Sequence, residues 1–287
     1  MEKRAGFTLI ELMIAMTIAA VVLAGVYMSY LSQQKSYVIQ DQVSAMQQNL
    51  RAAMDMMERD IRMAGLDPIA GMGAGNFGIT SVANNAAGNV SLRFTEDLDG
   101  SGVSVVSGVT VVDNNEDITF ELQASGTGTF NLVRIVNGTG VVANNMQALA
   151  FAYAYDSSNP VDGILEFVDN NGDGQCDVGE IIWAIDSDND NSLDLNLDTD
   201  GNGVIDANDD QNTDGILEGR ALPGGAIVPM NRIKAVRIWL LARTDRPIQG
   251  FLDTKTYVMG NRSIIPAGTD SNHMHRLLTT TVRCRNL

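Results

Sequence analysis

Residues 3–28 read KRAGFTLIELMIAMTIAAVVLAGVYM, a basic pair followed by an apolar run that contains one acid, Glu11. The run from Phe7 to about Met28 is long enough to cross a bilayer, which takes about 20 residues. The basic pair before it predicts that the N-terminus stays on the cytoplasmic side. A carboxylate inside such a segment costs about 3 kcal/mol or more, so Glu11 is expected to have a purpose and a partner.

The order of these features is not that of an ordinary secretory signal, which places its small-residue cleavage site after the apolar stretch. Here Gly6 comes before it, and the leader, the glycine and FTLIE together resemble the type IV prepilin leader. The resemblance implies cleavage between Gly6 and Phe7 and N-methylation of the new Phe7 amine. It also implies that Glu11 attracts the terminal amine of a neighbouring subunit, which relieves the desolvation of both charges. The alternative is a plain membrane anchor that tolerates an acid.

Beyond Met28 the helical pattern continues and becomes amphipathic. Apolar residues recur at spacings mostly of three and four: Val43, Met46, Leu50, Met54, Met57, Ile61 and Met63. Gly65 and Pro68 predict the end of the helix, because glycine favours a left-handed cap and proline cannot continue a helix. The chain should therefore comprise a leader (1–6), one helix (7–65, with 7–28 in the membrane) and a globular head (66–287).

The head contains short β-rich runs bounded by Gly, Asn and Asp. The expected strands are 89–95, 103–112, 118–123, 130–136, 147–155, 164–168, 181–185, 235–243, 255–258 and 277–283. In 147–155 alanines alternate with Leu149, Phe151, Tyr153 and Tyr155, so one face of that strand is small and the other bulky. We expect an α+β, pilin-like fold in which the long helix packs on a mostly antiparallel sheet.

The net charge of −16 arises in one segment, an acidic insert at 169–221. Between Asp169 and Glu218 lie 15 of the 35 acidic residues and no Lys or Arg, and the other 20 acids nearly balance the 19 basic residues. This distribution argues against a nucleic acid partner, because phosphate binding depends on Lys and Arg.

The insert begins with DNNGDGQCDVGE at 169–180, which matches the twelve-residue calcium loop throughout. Positions 1, 3, 5, 7, 9 and 12 are Asp169, Asn171, Asp173, Gln175 (through its carbonyl), Asp177 and Glu180. Gly174 provides the turn at position 6.

Three more registers start twelve residues apart. Their candidate ligands are Asp186, Asp188, Asp190 and Asp194; Asp198, Asp200, Asn202, Val204, Asp206 and Asp209; and Asp210, Asn212, Asp214 and Glu218. The register from Asp186 ends on Leu197, and the register from Asp210 lacks an acid at position 12. Leu193, Ile205 and Leu217 recur with the same period, which indicates an internal repeat whose apolar residue packs inward.

The back-to-back loops resemble dockerin or thrombospondin type 3 repeats, in which calcium replaces a hydrophobic core. The resemblance implies Ca²⁺ as cofactor, and extracellular modules of this kind bind it at about 10⁻⁴ to 10⁻³ M. The alternative is a solvated acidic loop, loose because its charges repel one another.

Two cysteines and two histidines are the remaining candidates for a disulfide or a functional site. Cys176 and Cys284 lie in a non-cytoplasmic domain and predict a disulfide, with two independent thiols as the alternative. His273 and His275 are expected at the surface. The sequence has no nucleophile elbow, phosphate loop or zinc-protease motif, so we expect no enzyme.

Residues 60–68, 96–100 and 276–286 resemble the PilW-like minor pilins, so that the likeness covers both ends well and the middle poorly. It implies a minor pilin that contributes to assembly, priming or the tip of a type IV pilus. The implied partners are other minor pilins, the major pilin, the prepilin peptidase and a tip adhesin. The chain would span the inner membrane once, with its head in the periplasm, and would then become part of the extracellular pilus.

Two alternatives remain open at this point. A J-like pseudopilin of a type II secretion system shares the leader, helix and large head. A calcium-dependent adhesin carried on a pilin stalk would use the same loops to bind a surface or glycan.

Overall fold

The computed structural model describes residues 8–68, 77–84, 90–100, 104–106, 109–111, 115–126, 128–177 and 179–287. The predicted cleavage and methylation residues, Gly6 and Phe7, lie outside these ranges. The chain divides into two compact units, Met1–Ala45 and Met46–Leu287.

A single helix, α1 (Leu9–Met63), runs through both units. It is long and apolar enough to cross a membrane, with a window of mean hydropathy 2.4. The helix begins with a capping box. Thr8 N–H donates to Glu11 Oε2 (2.8 Å), and Glu11 N–H donates to Thr8 Oγ1 (3.3 Å). Glu11 therefore satisfies a backbone donor that would otherwise be orphaned at the helix start.

The second half of α1 has the buried stripe that its periodicity predicts. Its buried residues are Met46, Leu50, Ala53, Met54, Met57 and Ile61. The predicted stop is also confirmed, because the helix ends at Met63 and Gly65 has a φ of +77°. Gly65 N–H donates to Thr95 O (3.0 Å), which joins the helix exit to the sheet.

The head is built on antiparallel strands. The strands are β1 (Ile79–Asn84), β2 (Val90–Thr95), β3 (Ser104–Val106), β4 (Val109–Val111), β5 (Asp117–Gly126), β6 (Thr129–Ile135), β7 (Thr139–Tyr155), β8 (Ala184–Ile185), β9 (Ser192–Leu193), β10 (Leu195–Asn196), β11 (Arg220–Ala221), β12 (Val228–Pro229), β13 (Ile233–Arg243), β14 (Tyr257–Met259), β15 (Arg262–Ile264) and β16 (His275–Arg283). The main sheet runs β1-β2-β5-β6-β7, and β13 lies between β7 and β16. The expected helix and mostly antiparallel head are confirmed.

Some expected strands differ in the structure. Within the stretch expected as one strand at 103–112, Ser104–Val106 and Val109–Val111 pair with each other as the antiparallel strands β3 and β4. Residues 164–168 contribute only a bridge between Phe167 and Ile181, because these two segments form the short base of the first acidic loop. The sequence did not predict β1, β15 or the four two-residue strands β9, β10, β11 and β12.

The small face of β7 receives the acidic insert. Ala150, Ala152 and Ala154 share a buried cluster with Trp183 and Leu197 from the insert region. Alanine side chains leave room for these large neighbours, so the alternation in β7 provides the surface on which the insert packs.

Candidate metal centre

The repeated apolar residues fix the insert against the head. Leu193, Leu197 and Leu217 are at most 1% exposed, and Ile205 is partly buried against the same cluster as Leu197. The predicted inward packing is therefore present. Because the apolar residue of each repeat points inward, the polar residues between them form loops at the surface.

All four loops share one hydrogen bond, from the backbone N–H at position 6 to the carboxylate at position 1. The pairs are Gly174 to Asp169 Oδ2 (2.9 Å), Asn191 to Asp186 Oδ2 (2.9 Å), Gly203 to Asp198 Oδ2 (3.1 Å) and Gly215 to Asp210 Oδ2 (2.9 Å). Each position 6 has a positive φ, which glycine adopts readily and asparagine tolerates. The Asn191 that departs from the glycine pattern thus makes the same turn.

The final acid of the first loop has an equivalent in the third loop. Glu180 accepts hydrogen bonds from the N–H groups of Asn170 (2.9 Å), Asn171 (3.3 Å) and Asp177 (3.3 Å). Asp209 accepts them from the same three loop positions, Thr199 (2.6 Å), Asp200 (3.3 Å) and Asp206 (2.9 Å). Position 12 is therefore filled by a carboxylate with the same contacts in both loops, although aspartate is one carbon shorter.

In the fourth loop, the acid that makes the position 12 contacts is not the residue that the sequence alignment places there. Glu218, aligned at position 9, accepts from Gln211 N–H (2.8 Å) and Asn212 N–H (3.3 Å). These are the contacts that position 12 makes in the first and third loops. The missing acid at position 12 is thus replaced by Glu218, which its longer side chain permits.

In the second loop Asp194, aligned at position 9, is not part of the converging group of Asp186, Asp188 and Asp190. It accepts from the N–H and Oγ of Ser187 at 2.8 and 2.5 Å. Leu197, at position 12, is fully buried. The ligand set of this loop is therefore smaller than that of the third.

Carboxylates converge in three of the loops. Groups whose oxygens lie within 4.8 Å of one another are Asp186, Asp188 and Asp190; Asp198, Asp200 and Asp209; and Asp210, Asp214 and Glu218. Among the described residues of the first loop, Asp169, Asp173, Asp177 and Glu180 form no such group. Asn171 Nδ2 donates to Asp177 Oδ2 there at 3.1 Å. The second to fourth loops offer oxygen donors only, which suits a hard cation such as Ca²⁺.

The remaining predicted ligands hold the backbone of their loops. Asn202 Oδ1 accepts from Val204 N–H (2.7 Å), and Asn212 Oδ1 accepts from Asp214 N–H (2.9 Å). Asp173 Oδ1 accepts from Gln175 N–H (2.7 Å). These side chains hydrogen-bond to the backbone of their own loop, two residues further on, and so help to fix the loop conformation that positions the carboxylates.

Burial makes two of these acids unfavourable as lone anions. It raises the pKa of Asp186 and of Asp209, against the opposing effect of their backbone hydrogen bonds. A bound cation would offset this cost, because the charge of an ion inverts the local preference. A basic group also lies beside the third loop, where Arg220 Nη2 is 3.5 Å from Asp198 Oδ2.

The first and third loops meet at Gly203, where a Cβ atom would lie 2.0 Å from the Gly179 carbonyl oxygen. Gly203→Ala is expected to lower the free energy of unfolding by about 2 kcal/mol through this overlap and the positive φ. Calorimetric melting of the calcium-loaded chain measures it. The control Gly224→Ala shares the positive φ (+69°) but meets no atom within 4 Å. Equal losses in the two variants would contradict the close approach.

The two histidines are not at the surface, so that expectation is wrong. His273 and His275 are 8% and 5% exposed. The His275 ring lies between Asp253 Oδ2 (3.0 Å from Nδ1) and Asp270 Oδ2 (3.2 Å from Nε2). Asp270 lies in the short 3-10 helix just before β16, and Asp253 lies in the loop between β13 and β14, so only Asp270 is near His275 in sequence.

The cysteines are free thiols in the structure, with Cys284 buried and Cys176 half-buried. Burial raises the pKa of Cys284 to about 12. Burial also raises that of Cys176, with the charges of Glu180 and Asp177 adding to the effect. Both thiols are poor nucleophiles at neutral pH, and their pairing stays a prediction.

Comparisons with known proteins match the two ends of the chain. A family described as the prokaryotic N-terminal methylation motif matches residues 1–27, and type IV pilus-assembly protein W matches residues 197–286. Among solved structures, a type IV-like pilin from Thermus thermophilus has a TM-score of 0.39 and 12% identity, covering 84% of this chain and 97% of that one. No curated protein matches. The chain thus has a methylation motif at its start, a segment similar to the type IV pilus-assembly protein W family at its end, and a long apolar helix before an antiparallel head, and in these features it is similar to type IV pilin-like proteins of the PilW-like minor pilin kind.

Proposed function

We propose that this chain is a minor pilin that takes part in the assembly of a type IV pilus, as a priming subunit or near the tip, and that calcium stabilises its head. The observation that carries the assembly role is Glu11. It is the only charged side chain between residues 8 and 34, on a stretch of α1 whose large apolar residues are exposed. In a membrane or filament core such an acid needs a cationic partner, and the Phe7 amine of a neighbouring subunit has the required charge.

Before assembly the helix would hold the chain in the inner membrane, with the head in the periplasm. The prepilin peptidase would process the leader, and the mature subunit would then join other minor pilins and the major pilin. Because the helix surface is apolar and exposed along its first half, neighbouring pilin helices suit it as partners.

In the head, the three groups of converging carboxylates are the calcium ligands that we propose. In the third loop these are Asp198, Asp200 and Asp209, with the carbonyl oxygen of Val204 as an uncharged donor. Bound calcium would neutralise acids that otherwise repel one another. An affinity of about 10⁻⁴ to 10⁻³ M would leave the loops empty in the cytoplasm and load them after export.

The assembly role is tested in the cell that makes this protein. Deleting the chain is expected to reduce the number of surface filaments, counted by electron microscopy, and the wild-type chain restores them. Unchanged export of proteins by a type II secretion system distinguishes the pilus from the pseudopilus. Normal filament numbers with impaired secretion would favour the J-like pseudopilin instead.

A further inference from the structure

A fourth group of converging carboxylates lies outside the acidic insert, where the loop after β2 meets the start of β5. Asp97, Asp99 and Glu116 each place a carboxylate oxygen within 4.8 Å of the other two. Asp97 and Glu116 are 0% and 2% exposed, whereas Asp99 faces solvent. No local spacing in the sequence marks these residues as ligands, since Asp97 and Glu116 lie far apart along the chain.

Backbone hydrogen bonds hold this group in place. Glu96 N–H donates to Glu116 O (3.0 Å), and Leu98 N–H donates to Glu116 Oε1 (2.9 Å). Gly100 N–H donates to Asp97 Oδ1 (2.6 Å). Since Thr95 also pairs with Asp117 in the sheet, both sides of the group are anchored by the β2–β5 ladder. The carboxylates are thus positioned before any ligand arrives.

One oxygen in this group lacks any partner. Glu116 Oε2 is buried and accepts no hydrogen bond, and the same is true of Oε2 of the adjacent Glu96. A buried polar atom without a partner costs about 1–3 kcal/mol, and a charged one costs more. Arg134 is a charge near Glu96, and its Nε lies 2.5 Å from Asp60 Oδ2, whereas the charges that act on Glu116 are those of Asp97 and Asp99. The group therefore combines three converging carboxylates with a buried oxygen, Glu116 Oε2, that has no hydrogen-bond partner.

We propose that Asp97, Asp99 and Glu116 bind a calcium ion at a site separate from the acidic insert. The donors are all carboxylate oxygens, the type that hard cations select. Asp97 and Asp99 are two residues apart and are followed by Gly100 with a positive φ. The same two-residue spacing brings Asp198 and Asp200 together in the third loop of the insert.

The position of this site assigns it a mechanical role. Asp97 N–H donates to Leu66 O (2.7 Å), just beyond the end of α1. The neighbouring Thr95 O accepts from Gly65 N–H (3.0 Å). An ion bound by Asp97 and Glu116 would link the segment after α1 to the end of β2 and the start of β5. The insert loops, at 169–221, would instead stabilise a part of the head that comes later in the sequence. Calcium thereby stiffens the exit of the stalk helix as well as the insert.

The test counts calcium ions bound per full-length chain in detergent, at about 1 mM calcium, by equilibrium dialysis and elemental analysis. Glu116→Gln keeps the side-chain length and an oxygen for Leu98 N–H but removes the charge. We expect it to bind one ion fewer than the wild type. The control Glu121→Gln alters an acid in the same strand β5, bonded to Gln123, and is expected to keep the full count. An unchanged count in Glu116→Gln, or the same loss in the control, overturns the site.

A second variant guards against misfolding of the buried Glu116 substitution. Asp99 is exposed, so Asp99→Asn leaves the interior intact and is expected to lose the same single ion. An unchanged count in this variant contradicts the proposal.

The double variant Asp198→Asn with Asp210→Asn separates this site from the insert. It should lose the ions bound by the insert while retaining the ion that depends on Glu116. Loss of that ion together with the insert ions would refute a separate site.

Discussion

Removing calcium from the full-length chain is expected to lower its melting temperature by about 10 °C. At a calcium concentration tenfold above the dissociation constant, each loop that binds only the folded state contributes about 1.4 kcal/mol. Three loops contribute about 4 kcal/mol, and 1 kcal/mol shifts the melting temperature of a protein of this size by about 2–4 °C. Calorimetric melting in detergent, with millimolar calcium and then with a chelator, measures the difference.

Matched variants locate the effect in the insert. Asp198→Asn removes one charge from the third loop and keeps one oxygen that can accept from the N–H of Gly201 or Gly203, so it should abolish about one third of the calcium-dependent shift. Asp245→Asn changes an exposed acid outside the insert and should leave the shift unchanged. Magnesium at the same concentration should stabilise less, because it requires a stricter octahedral geometry. A melting temperature indifferent to calcium would make the insert a solvated acidic segment.

Local spacing was sufficient to predict the helix and the loops. The stop at Gly65 depends on one glycine and a nearby proline, and the loop starts depend on acids two residues apart. In both cases the interacting groups are close in sequence, so the spacing of residue types is enough to predict the local backbone conformation. The capping box of Thr8 and Glu11 has the same kind of signal, Thr-x-x-Glu, which the sequence analysis did not use.

Contacts between distant segments could not be predicted in this way. His275 lies between Asp253 and Asp270 because β16 and the loop before it return to the end of β13. Asp97 meets Glu116 only through the pairing of β2 with β5. Such sites depend on strand register, which a pattern of residue types does not specify for strands separated by long connections.

The second large effect is expected at Glu11, where the structure separates two roles that the sequence combines. Its carboxylate caps the start of α1 through Thr8, and its charge is proposed to attract the terminal amine of a neighbouring subunit. A glutamine can complete the same capping box but has no charge. Glu11→Gln should therefore leave insertion and cleavage intact. It should lower incorporation into filaments about a hundredfold, since an unpaired buried charge costs about 3 kcal/mol or more.

Glu11→Ala provides the comparison, because it removes both the charge and the cap. We expect its incorporation to fall at least as far as that of Glu11→Gln, since the cap itself contributes only about 1 kcal/mol. Immunoblots of sheared filaments and of the membrane fraction give the ratio of assembled to unassembled subunit for each variant. Normal incorporation of Glu11→Gln with impaired incorporation of Glu11→Ala would show that Glu11 serves assembly by capping the helix. In that case the proposed charge pair between Glu11 and the neighbouring amine is wrong for this chain.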